Sequence, residues 1–421
     1  MAKPIRNNEL DSGNCFRFNL AGLIVFSLCL MGGAALISAK IFTGHSKIPA
    51  FDDNTGAPDG RDKDITDHVG PWGELLTQNI RLERPAELIP KEITNPGTET
   101  WVFRGLNVVQ VKSLFAANGL TRDEAEKALS PDRVIPQGND TVFKPGDDFV
   151  FSLSPDKRQK LYGALYGKGV NTYLDYPYIF PKESIESVYA DPRLNPDDVA
   201  LLKKLVYANH NAMQLSDNEV LFGNIPTVSR RVAMGQALSR QSAVLVGLCI
   251  RPDTDIDKIA SYWGRMANVH FDDIRPIMQA LKELPNGGRV NLMFLLPPFA
   301  REHLYTFPVQ GADDKTTMDC HWSTFNFSSV EPDNRFNDPD YAVQYIKNNY
   351  YQIDAPGIYG DVILLINDKQ EIKHSAVYLA DDLVFTKYGD NNSQPWMIVR
   401  ISDMQEQYPT LKPFYFRQKT D

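Results

Sequence analysis

Residues 360–389 read GDVILLINDKQEIKHSAVYLADDLVFTKYG, and this stretch decides the fold. Val362–Ile366 is a dense apolar, β-branched run that reads as a buried strand opening at Gly360-Asp361. Asn367-Asp368-Lys369 supplies a turn, and His374 opens a second strand over about Ser375–Leu379. Ala380-Asp381-Asp382 turns the chain into a third strand, Leu383–Lys387. Strands joined by such short turns pair antiparallel.

Working upstream, Cys320 lies in TTMDCHWSTFNF, after polar residues and at the start of a segment that reads as a helix. At a helix N-terminus the orphan N–H groups and the dipole favour a thiolate, so a lowered thiol pKa is expected there. A helix bearing Cys320 followed by an antiparallel sheet bearing His374 can bring a nucleophile and a base together. Cys249, inside the apolar run Ser242–Ile250, reads instead as a core thiol on a buried strand.

The ordered set Tyr305, Asp319-Cys320, Gly360-Asp361-Val362 and His374-Ser-Ala-Val-Tyr-Leu resembles the signature of NlpC-type papain-like cysteine hydrolases. That resemblance covers residues 300–421. It implies an α+β papain-like domain, a helix plus an antiparallel sheet, that cleaves amide bonds in bacterial cell-wall stem peptides. It further implies Cys320 as nucleophile, His374 as base and Tyr305 as an active-site tyrosine. The residue that orients the histidine would fall at Thr386 or Lys387. Bulky His321-Trp322 stand where the family has Ser-Gly, and Thr-Lys stands where it has His, Asn or Gln. These departures motivate a second reading, a catalytically inactive binding or scaffold protein with the same fold. A transferase using the same acyl-enzyme chemistry is a third. No cofactor is expected, because no phosphate loop, dinucleotide fingerprint or metal-ligand spacing occurs.

The rest of the chain supplies a setting. Leu20–Ala39 is a run of 20 residues without charge, long enough at about 1.5 Å per residue to cross a hydrocarbon core of roughly 30 Å. It reads as a membrane helix over residues 19–42, after a cytoplasmic tail over residues 1–18. A cleaved signal peptide is the competing reading, but the run is long for one and Leu36-Ile37-Ser38-Ala39 is a poor cleavage site. Lys3, Arg6 and Arg17 precede the run and only Lys40 and Lys47 closely follow it, which favours the N-terminus inside and the body outside the cytoplasm. The whole chain of 421 residues carries a net charge of −9, which argues against nucleic acid as a partner. Its 43% hydrophobic content excludes wholesale disorder, and four cysteines exclude a disulfide scaffold.

Residues 43–97, rich in Pro, Asp and Gly, read as a tether with short ordered pieces near Trp72–Leu76. Residues 98–299 read as a mostly helical α/β region without recognisable chemistry. Helices are expected over Leu106–Asn118, Asp123–Leu129, from Pro155 to about Tyr166, from Pro196 to Tyr207, over Asp255–Trp263 and over Phe271–Leu284. Thr121 and Glu124 form a capping box, and Ser154-Pro155-Asp156 is a second N-terminal signature. A further strand is expected over Val290–Leu296.

Overall fold

The computed structural model describes Phe16–Arg17 and residues 65–419, apart from 168, 176, 210–211, 267, 310–317 and 390–393. The fold is mixed α+β with antiparallel sheets. No helix among the described residues is long and apolar enough to cross a membrane, and the Leu20–Ala39 run lies outside them.

The described residues divide into two compact units. One comprises residues 81–241. Its helices start where the local signals place them. Thr121 accepts the Glu124 N–H at 3.2 Å while Glu124 accepts the Thr121 N–H at 2.8 Å, opening Arg122–Ala128. Ser154 caps Pro155–Leu165 by accepting the Lys157 N–H. Pro196–Leu205 stops two residues short of Tyr207, which instead begins the strand Tyr207–Asn209. Two three-stranded antiparallel sheets, centred on Asp140–Phe143 and on Ala212–Leu215, complete the unit. An aromatic cluster of Trp101, Phe115, Phe143, Phe149 and Tyr162 fills its core.

The other unit comprises residues 65–80 and 242–419, with Phe16–Arg17 paired to Glu371–Ile372. It holds a four-stranded sheet of β1 (Ile65–Gly70), β2 (Gly73–Leu82), β3 (Gln241–Ile250) and β4 (Gly288–Asn291), in the order β4-β3-β2-β1. Thus the stretch read as tether already carries a ten-residue strand, with Leu75 fully buried. Ten residues of alternating burial are what a half-buried strand needs, and the flanking Pro and Asp residues mask that period. Residues 242–299 also pack against residues 300–419. Tyr262 donates to Leu379 O at 2.8 Å, and Trp263 packs on Tyr359 with ring centroids 5.0 Å apart. The boundary expected at 299/300 therefore falls at 241/242. β4 ends at Asn291, whose side chain accepts the Met293 N–H at 2.9 Å and turns Leu292–Leu295 into a 3-10 helix, so the expected strand over Val290–Leu296 is cut short. Cys249 is half-buried, on the face of β3 opposite Leu248 and Ile250, rather than in the core.

The second sheet of this unit carries the candidate chemistry. A short helix, α1 (Cys320–Phe325), precedes β5 (Tyr350–Ile353), β6 (Val362–Ile366), β7 (Glu371–Ala380), β8 (Leu383–Lys387) and β9 (Trp396–Arg400). Helix α2 (Ile401–Gln407) and strand β10 (Lys412–Gln418) follow. The strand order is β5-β10-β6-β7-β8-β9, with every pair antiparallel. All residues of β6 and β8 are buried, as expected where both faces of a sheet are covered. Gly360 is required at its position. Its φ is +97°, and an added Cβ would lie 2.2 Å from Met266 Sδ. Asp361 accepts the N–H groups of Gly357 and Ile358 and pairs both oxygens with Arg417 at 2.8 Å. The Gly-Asp pair before β6 is thus a structural corner.

Candidate active site

Asp319 starts α1 by accepting the Trp322 N–H at 2.7 Å, while Ser323 Oγ donates back to Asp319 O at 2.6 Å. All six residues of the helix are buried. The helix rests on β7 through Ser375, whose Oγ donates to Cys320 O at 3.1 Å and lies 3.0 Å from Thr324 Oγ1 and from His321 Nδ1. A small hydroxyl at position 375 lets the helix approach the sheet closely, and His321 turns its ring to that hydroxyl. Neither Ser375 nor this use of His321 is signalled by the sequence.

His374 is the fourth residue of β7, not its first, because Glu371–Lys373 extend the strand across a bulge opposite Leu365-Ile366. Successive side chains alternate between faces, so His374 points away from the Ser375 face. There its Nε2 lies 2.8 Å from Thr386 Oγ1. Thr386 also reaches Ser375 O, at 3.3 Å. A hydroxyl has one proton; if Thr386 gives it to that carbonyl, its lone pair accepts from Nε2–H. The neutral ring is then the Nε2–H tautomer, and Nδ1 carries the basic lone pair. Nδ1 is buried and has no hydrogen-bond partner.

The structure therefore selects Thr386 as the partner of His374. Lys387, its neighbour in β8, points to the opposite face, is fully buried, and donates from Nζ to Gly389 O at 3.1 Å. Its charge bears on both candidates. It favours a thiolate at Cys320 and disfavours an imidazolium at His374.

Cys320 departs from expectation. Burial pushes its thiol up to about 12, with the Asp319 carboxylate acting in the same sense. The Ser375 backbone N–H, which donates to the sulfur, and Lys387 pull the other way without prevailing. The helix-start effect expected to lower this pKa loses because the side chain is only 5% exposed. Burial likewise holds His374 well below the usual histidine range, followed by the charges of His321 and Lys387. Thiol and imidazole both rest neutral and are not hydrogen-bonded to one another. The sulfur nonetheless sits against the backbone N–H of the residue immediately after the base.

Tyr305 does not join this group. Its hydroxyl donates to Val244 O at 2.6 Å and its N–H donates to Trp396 O at 2.8 Å, with φ at +62°. A phenol whose one proton is committed to a carbonyl is a structural tie, not an oxyanion donor. No family model, curated protein or solved structure matches this chain.

Proposed function

We propose that the chain is a membrane-anchored cysteine hydrolase with a papain-like C-terminal domain, acting on amide bonds of cell-wall peptides outside the cytoplasm. The tautomer of His374 carries this reading. With Nε2–H held by Thr386, Nδ1 carries the open lone pair; α1 lies on the Ser375 face of β7 and His374 on the other, so transfer of the Cys320 proton to Nδ1 requires the two side chains to be brought together when substrate binds. As that proton moves to Nδ1, sulfur forms a bond to the substrate carbonyl carbon. The imidazolium returns the proton to the departing amine as the C–N bond breaks. Water then attacks the thioester, losing a proton to Nδ1, and the thiol leaves reprotonated. The neutral resting state means that the ion pair forms only with substrate bound. Leu20–Ala39 would be the anchor.

One observation favours the inactive binding protein instead: thiol, imidazole, Thr386 and Lys387 are all buried. Peptide-resolved alkylation separates the two readings. With iodoacetamide at pH 8, His374→Ala should slow modification of Cys320 about tenfold and leave Cys249 unchanged. Equal Cys320 rates in the two proteins, or a Cys320 inert in both, would sink the hydrolase reading and leave the binding protein.

A further inference from the structure

Thr386 holds only one atom of the His374 ring, and a ring held at one atom can still pivot about that contact. The pivot is closed by aromatic side chains that no motif announces. Tyr408, just after α2, stacks on the imidazole with centroids 4.6 Å apart and planes at 27°. Tyr388, just beyond β8, meets the same ring at 5.6 Å and 47°. The two phenols contact each other at 6.0 Å and 73°, edge to face, so they brace one another. Tyr388 stands two residues beyond Thr386 and shares its face of the sheet. Tyr408 comes from the far end of α2, so the base is gripped by separate elements of the fold.

We propose that Tyr408 is the positioning residue of the base: its ring face fixes the plane of the His374 imidazole, so that Nε2–H stays on Thr386 and the Nδ1 lone pair stays open. Flat contact suits this task because it resists tilting of the ring without offering a hydrogen bond to either nitrogen. The inference rests on the hydrolase reading for its purpose, but not for its geometry.

The test uses the full chain labelled with ¹⁵N-histidine, comparing Tyr408→Phe, Tyr408→Leu and Tyr408→Ala. Wild type should show a protonated Nε2 and a pyridine-like Nδ1 at His374. Phe should preserve that pattern, and Leu, which keeps bulk without a flat face, should give a mixture of tautomers, as should Ala. Signals of His321 report whether the surrounding helix and sheet persist; should Ala disturb them, the Leu variant decides. Cys320 alkylation should slow about fivefold in Leu and stay within twofold in Phe. An unchanged His374 pattern in Leu overturns the proposal, as does an equal change in Phe and Leu. A changed tautomer with unchanged alkylation keeps Tyr408 as the positioning residue and removes the hydrolase reading instead.

Discussion

Each compact unit buries a polar cluster, and the two clusters are built differently. In residues 81–241, Arg158 and Asp217 are both fully enclosed, with Nε 2.9 Å from Oδ2. The remaining guanidinium nitrogens donate to Lys204 O and Val150 O, and Tyr162 donates its hydroxyl to the other Asp217 oxygen. Burial pushes Asp217 up to about 6 even against the opposing pull of Arg158. In residues 242–419 the cluster of Cys320, His374, Thr386 and Ser375 bonds every member except one basic ring nitrogen. The first cluster is held by an ion pair between a guanidinium and a carboxylate, whereas the second is held by hydrogen bonds among groups that rest neutral.

The comparison breaks first at Asp217. Replacing it with Ala strands a buried guanidinium, and losing one partner of a buried pair costs about 3–5 kcal/mol. Denaturant unfolding of the full chain should show a transition assigned to residues 81–241 moving sharply to lower denaturant. A cost below about 1 kcal/mol, within the range of exposed ion pairs, would mean that the pair does not tie the unit together.

Thr386→Val is the matching change in the other cluster and should cost less. The isosteric side chain removes the acceptor for Nε2–H, and an unsatisfied buried donor costs about 1–3 kcal/mol. Thr386→Ser keeps the oxygen and should recover most of that loss in thermal unfolding. Should Ser and Val be equally destabilised, the methyl packing matters rather than the hydrogen bond, and the assigned tautomer loses its support.

What could be read ahead of the structure was local. The capping box at Thr121 and Glu124 and the Ser154-Pro155 start depend on neighbours three residues apart, and they form as read. Likewise β6 and β8 declare themselves by continuous apolar runs. Thr386 was legible as one of two positions because its distance from His374 is set by one tight turn. The choice against Lys387 needed the sheet register, which puts Thr386 and His374 on one face. The raised thiol at Cys320 was not legible, because it depends on how completely the helix is covered. Tyr408 stacks on His374 through a contact spanning several elements, and nothing in its own neighbourhood marks it. The true start of β7 was hidden because Glu371 and Lys373 look like turn residues.

The smallest effect probes an open oxygen beside the first cluster. Glu99 accepts from Trp101 Nε1 at 2.9 Å through Oε1, while its buried Oε2 has no hydrogen-bond partner. Burial raises its pKa well above the usual glutamate range, and the nearby Asp217 carboxylate adds to that. A carboxyl with a raised folded-state pKa keeps its proton after the unfolded chain has lost it. Its contribution is therefore fully present below about pH 4, near the unfolded pKa, and is lost as pH rises through the folded value. Gln carries a neutral amide at every pH, so Glu99→Gln should remove that part of the slope. Each pKa unit removed corresponds to about 1.4 kcal/mol, and each kcal/mol to roughly 2–4 °C in Tm for a unit of this size. Any cost of seating the extra amide N–H₂ where Oε2 lies does not vary with pH, so the slope is the clean readout and the absolute Tm is not. Burial also pushes Asp217 up to about 6, so part of the slope belongs to Asp217 and remains in the variant. Parallel Tm–pH curves between pH 4 and 8 would move the origin of the pH dependence away from Glu99.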